Sequence, residues 1–212
     1  DPCHSISDVK LSWYGGNHQT TNGLSAMGML RNPVYAGTKT YTPSDDVYIS
    51  GTSGSTTRNF ATFPSLRLNG DLNKYYVMLV RFPIEKLPLG QSVSSVKLRL
   101  YYREKIGGEP TLVKGAFTAT SISSQWAEET VTWNSRPGRG QTALSGNEYY
   151  VLDSDPGYQT WDITPLAKSW FTNPETNFGM YIETFVRGWS CGFDAKEGQY
   201  APELVVEYKN SL

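Results

Sequence analysis

The sequence predicts an all-β protein, a two-sheet antiparallel β-sandwich of the jelly-roll kind with one short helix. Composition is the first reason: aromatic residues make up 13% of the chain, only 18% is charged, and Gly 20 with Pro 12 supplies many turns. A helix bundle needs more Glu and Lys on its wet faces. Periodicity is the second, since apolar residues recur at alternate positions in several segments and at helical spacing in one. The third is rhythm, because the segments are short and closely spaced and do not alternate with helices as a parallel sheet requires. A chain of 212 residues accommodates one such domain. It is expected over 40–212, after an arm over 1–39 that packs on or extends the sandwich.

The arm is polar and turn-rich, with Gly15-Gly16-Asn17 and Asn22-Gly23 separating two modest apolar groups. Pro43-Ser44-Asp45-Asp46 then turns the chain into a short strand through Val47, Tyr48 and Ile49. A Ser/Thr/Gly loop follows over 51–58, then a short alternating strand, Ser65-Leu66-Arg67-Leu68, closed by the hairpin signal Asn69-Gly70. Tyr76, Met78, Val80 and Phe82 line one face of the next strand, while Val77 and Leu79 make its other face apolar too. Burial on both faces places it near the middle of a sheet. Pro83, Pro88 and Gly90 exclude a helix after it, leaving a long hairpin or a crossing between sheets. Val96, Leu98, Leu100 and Tyr102 then alternate with Lys97, Arg99, Tyr101 and Arg103, giving one buried and one wet face.

Gly107-Gly108-Glu109-Pro110 makes the next turn, 115–122 reads as a strand, and Trp126 to Pro137 reads as an ordered loop lying on the sandwich. Residues 138–157 read as a loop, with Tyr149-Tyr150-Val151-Leu152 as an edge strand. After a strand over 158–161, Thr164 caps a short helix with Pro165 at its first position and Leu166, Ala167 and Trp170 as its inward stripe. Strands over 178–185, 189–193 and 202–208 complete the chain.

Lys+Arg 19 against Asp+Glu 20 leaves a net charge of −1, and no basic run offers a footprint for nucleic acid or an anionic membrane. No apolar stretch approaches the roughly 20 residues of a spanning helix, so no membrane insertion is expected. The start at Asp1-Pro2, without an initiator Met, reads as a mature or excised segment. Cys3 and Cys191 are the chain's cysteines. They form either one disulfide pinning the arm or two separate buried thiols, and with His4 and His18 as the histidines they do not make a zinc set.

The ordered motifs resemble the DNRLRE domain family, which overlaps carbohydrate-binding module family 96. They run from Asp46-Val47-Tyr48-Ile49 through Leu79-Val80-Arg81-Phe82, Leu87-Pro88-Leu89-Gly90 and the strand Val96 to Tyr102. They continue with Trp126, Val131-Thr132-Trp133-Asn134 and Pro137, Trp161-Asp162-Ile163-Thr164 with Trp170, Asn177-Phe178-Gly179, and Ala201-Pro202-Glu203-Leu204. The likeness spans 40–209 and lacks the family's eponymous acidic-and-arginine string. It implies a β-sandwich module of a secreted or cell-surface multidomain protein, binding glycan in some members and acting as a spacer in others.

The residues themselves argue against catalysis. Glu128-Glu129 and Asp153 with Asp155 are carboxylate pairs on loops, with nothing to fix their separation, and no nucleophile has a plausible histidine beyond the arm. A structural calcium ion is the candidate cofactor, with Asp45, Asp46, Asp162, Asp194 and Glu203 as hard oxygen ligands. Sugar rings stack on exposed aromatic faces while Arg and Lys address carboxylates and hydroxyls. On that basis Trp189, Arg187, Arg139 and Tyr149, with Trp13 in reserve, form the expected site for an extracellular polysaccharide, acidic or neutral. The motif tryptophans 126, 133, 161 and 170 are expected to be packing residues. A structural or adhesive surface module with no glycan ligand is the alternative, and the partners are then other domains of the parent protein.

Overall fold

The computed structural model describes residues 36–210 except 72–74, 108–112, 115–117, 146–148, 151–155, 185–186 and 188–189, all within the unit Val34–Leu212. Its strands are β1 (Gly37–Tyr41), β2 (Asp45–Ser50), β3 (Ser65–Asn69), β4 (Tyr76–Arg81), β5 (Gln91–Gly107), β6 (Val113–Lys114) and β7 (Thr118–Ile122). There follow β8 (Arg139–Ser145), β9 (Tyr149–Tyr150), β10 (Gly157–Asp162), β11 (Met180–Glu183), β12 (Ser190–Asp194) and β13 (Glu203–Asn210). Among the described residues the α-helix is the short α1 (Thr164–Ala167), which continues as a 3-10 turn over Lys168–Phe171. Among the described residues no helix is long and apolar enough to cross a membrane.

All described pairings are antiparallel, and they link eleven strands in the order β1-β13-β5-β12-β3-β4-β11-β7-β8, with β10 pairing β5 and β2 pairing β4 off that path. The sequence predicts two sheets; here they are two halves of one hydrogen-bonded path. Its joint is narrow, since β3 meets β4 only at Asn69 and Tyr76. At the other side of that corner β12 pairs with β5 through two register shifts, and such bulges let a strand bend between layers. One core of buried side chains takes Val96, Leu98, Leu100, Leu204 and Val206 from the β5 half and Ile49, Val77, Leu79, Val80 and Tyr181 from the β4 half.

The alternation expected in β5 is present, with Val96, Leu98, Leu100 and Tyr102 buried and Lys97 and Arg103 exposed. Strand β4 is buried on both faces between β2 and β11, as its double apolar pattern requires. The link from β4 to β5 is a crossing between layers: the two strands share no pairing. Gln91 N closes a turn onto Pro88 O at 3.3 Å, and Gly90 takes the positive φ (84°) that a side chain disfavours.

Several local expectations change. Residues 37–39, assigned to the arm by composition, form the start of β1 and pair with β13. Part of the expected 138–157 loop is β8, an edge strand on β7, and Gly140 permits it because a Cβ there would collide with the Ser121 side chain. Thr164 makes no side-chain cap. Its Oγ1 instead accepts the Val96 amide at 2.8 Å, tying α1 to β5, while Asp162 Oδ1 accepts the Thr164 amide at 2.9 Å. The Asn177-Phe178-Gly179 motif is a structural corner: Asn177 Nδ2 donates to Phe82 O (2.8 Å) and Trp126 Nε1 to Phe178 O (2.8 Å). Trp126, Trp161 and Trp170 are buried and Trp133 is half-buried against the same core, so all four are packing residues.

Candidate functional site

The wet face of β5 places Lys97, Arg99, Tyr101 and Arg103 in one row, at about 6.6 Å per pair of residues. Antiparallel pairing sets Tyr158 of β10 directly opposite Tyr101, and Thr160 opposite Arg99. The turn before β13 adds Tyr200, whose ring stacks on Tyr101 at 4.0 Å and an interplanar angle of 20°, while Tyr158 meets Tyr101 edge-on at 5.3 Å. Tyr200 is 37% exposed, so this three-ring cluster opens to solvent.

The cations beside the rings are held by carboxylates. Arg99 pairs with Glu203 across the β5–β13 ladder, and its guanidinium lies 4.3 Å from the Tyr158 ring centre, a cation–π arrangement. Arg103 Nε donates to Asp194 Oδ1 at 2.5 Å, and Asp194 Oδ2 accepts the Tyr200 amide at 3.1 Å. Asp194 is fully buried, so it fixes one arginine and the Tyr200 turn from beneath. Tyr158 donates to Ala201 O at 3.2 Å, and burial followed by the nearby Glu203 charge raises its pKa. Rings with π-faces and held guanidinium groups are the chemistry that stacks on sugars and binds their carboxylates or hydroxyls.

The residues expected from the sequence are not brought together among the described residues. Trp13 and Trp189 lie outside them. Tyr149 belongs to the two-residue strand β9, paired with Lys114 of β6. Arg187 is exposed in a turn between β11 and β12. Arg139 is committed to the buried Glu183, through Nε at 3.1 Å and through Nη2, and Tyr75 donates to the same carboxylate at 3.3 Å. Cys191 is a free, buried thiol whose pKa burial pushes well up; its expected partner Cys3 lies outside the described residues.

The five carboxylates expected at a metal do not converge either, because four of them serve the chain's own donors. Asp45 pairs with Arg81 at 2.7 Å, Asp162 holds the start of α1, and Asp194 and Glu203 anchor the arginines of the tyrosine face. Asp46 differs. It joins Glu128 and Glu197 in a group whose ligand oxygens lie within 4.8 Å of one another, an arrangement able to hold a metal ion. Loop tryptophans do not point to the tyrosine face, which lies on two strands and a turn; its signal in the sequence is Tyr101 among the cations of β5.

The sequence profile of carbohydrate-binding module family 96 matches residues 37–208. The chain belongs to that family. This family 96 module is also similar to a gellan lyase from Bacillus sp, at 23% identity over 188 residues, covering 88% of the chain. The chain spans 7% of that enzyme's length. A carbohydrate-binding module matched by so small a share of a lyase is consistent with a binding domain separate from the catalytic one.

Proposed function

We propose that this module binds an anionic extracellular polysaccharide on the outer face of β5 and β10, as the non-catalytic targeting domain of a larger secreted or cell-surface protein. One observation carries the reading: Tyr101, Tyr158 and Tyr200 form an open aromatic cluster flanked by Arg99 and Arg103, each held in place by a carboxylate. Lys97 extends the row along β5. From Lys97 to Arg103 the row covers roughly 20 Å, enough for several sugar units. An open face buries little of each ring, so affinity in the micromolar range, about −8 kcal/mol, is the expected ceiling. Gellan, named by the similar lyase, is the first anionic polymer to try.

Affinity electrophoresis and calorimetry with gellan, other acidic polysaccharides and neutral ones test the reading. Binding to the acidic polymers is expected to weaken as salt rises, because exposed charge pairs are screened. Tyr200→Ala is expected to abolish binding with little change in Tm, since the ring is part-exposed and lies outside the core. If Trp189→Ala abolishes binding and Tyr200→Ala does not, the site lies at the tryptophan instead. If no polysaccharide binds at millimolar sites, the structural or adhesive module is the correct reading.

A further inference from the structure

We propose that Asp46, Glu128 and Glu197 form a calcium site that staples the start of β2, the 126–137 loop and the turn after β12, with Lys196 as a built-in counter-ion. These segments are remote in sequence, yet each presents a carboxylate, and the ligand oxygens lie within 4.8 Å of one another. Calcium–oxygen bonds of about 2.3–2.6 Å reach across such a gap from both sides. All-oxygen donors select a hard cation over a transition metal.

The second observation is independent of the clustering. Asp46 is 1% exposed and Glu128 3%, and Asp46 Oδ1 and Glu128 Oε1 accept no hydrogen bond among the described residues. Buried carboxylate oxygens without a partner are costly. The other oxygens are used: Asp46 Oδ2 accepts the Lys196 amide at 2.8 Å, and Glu128 Oε2 accepts from Lys196 Nζ, which also donates to Ser44 O at 3.2 Å. Lys196 Nζ lies 3.6 Å from Glu197 as well. One ammonium among three carboxylates leaves a deficit of two positive charges, the charge of one calcium ion.

The frame is rigid on each side. Asn59 Nδ2 donates to Glu128 O (2.7 Å) and Val131 O (2.8 Å), fixing the turn that carries Glu128. The Glu197 turn is held by Ala195 N on Pro64 O (3.1 Å) and Gly198 N on Ala195 O (2.8 Å). Asp46 sits within β2, paired with Val80. Metal sites are built on fixed elements of this kind, with water completing the coordination shell.

The test is calorimetry and thermal unfolding of EDTA-treated protein titrated with calcium chloride. One binding event per chain is expected, with Tm rising by about 5–10 °C when calcium is a hundredfold above Kd. Glu197→Gln, at an exposed position, is expected to leave Tm in EDTA near that of the native chain and to weaken calcium binding by roughly tenfold or more. Lys196→Met, which removes the competing ammonium, is expected to strengthen it. No heat and no shift with the native protein overturns the site. So does full calcium affinity in Glu197→Gln, which locates the ion elsewhere.

Discussion

Asp194 is sealed from solvent, yet its two oxygens hold groups that reach the surface, Arg103 and the Tyr200 amide. A buried carboxylate needs its own donors, and meeting that need places a cation and a ring at the tyrosine face. Asp45, Asp162 and Glu203, plausible metal ligands by type and less buried than Asp194, also act as acceptors for the chain's own donors. Tyr181 shows what burial does to a neutral group. Its hydroxyl donates to Pro137 O at 2.5 Å, and burial, opposed by Arg139 and Arg136, pushes its pKa up to about 12. Tyr75, half-buried beside Glu183, is likewise pushed up to about 12. A phenol raised in the fold keeps its proton there after the unfolded chain has lost it. Stability from these groups is therefore intact below their ordinary value of 10.0 and falls as pH rises toward 12. Urea unfolding at a series of pH values is expected to show that loss, and Tyr181→Phe is expected to shrink it; an unchanged alkaline profile contradicts the account.

Among elements, β5 does the most. Its buried row contributes to the core and its wet row forms the tyrosine face, while its edges accept β13, β12 and β10. The two rows have different energetic weights. Leu98→Ala is expected to cost about 2–5 kcal/mol through lost burial and the cavity left behind, whereas Lys97→Ala on the opposite face is expected to cost under about 0.5 kcal/mol. Equal small effects in urea unfolding would reject this register. Strand β11 illustrates a tighter constraint. Gly179, just before it, has φ of 88°, and a Cβ there would collide with the Val80 carbonyl, so close approach to β4 depends on that glycine.

At the scale of the molecule, the described residues share one core within Val34–Leu212. A chain starting at Val34 keeps every strand from β1 to β13, and calorimetry is expected to show it unfolding in a single cooperative transition. Two separated transitions would mean that the β4 and β5 halves are independent, contrary to their shared core.

Alternation by itself determined the all-β class, the burial of both faces of β4 and the two faces of β5, because period-two burial is a local property written in successive residues. Motif order likewise marked the family, and the motif tryptophans read as packing residues are packed. Strand β8 was illegible, since Arg139-Gly140-Gln141-Thr142 has no apolar alternation and its pairing depends on β7. The sites were less legible still. Tyr101, Tyr158 and Tyr200 meet only through strand pairing and a turn, and Asp46, Glu128 and Glu197 only through the packing of three distant segments. Sequence names the side chains able to do such chemistry. Which of them stay available depends on which charges find partners inside the chain, and tertiary structure decides that because those partners are remote in sequence.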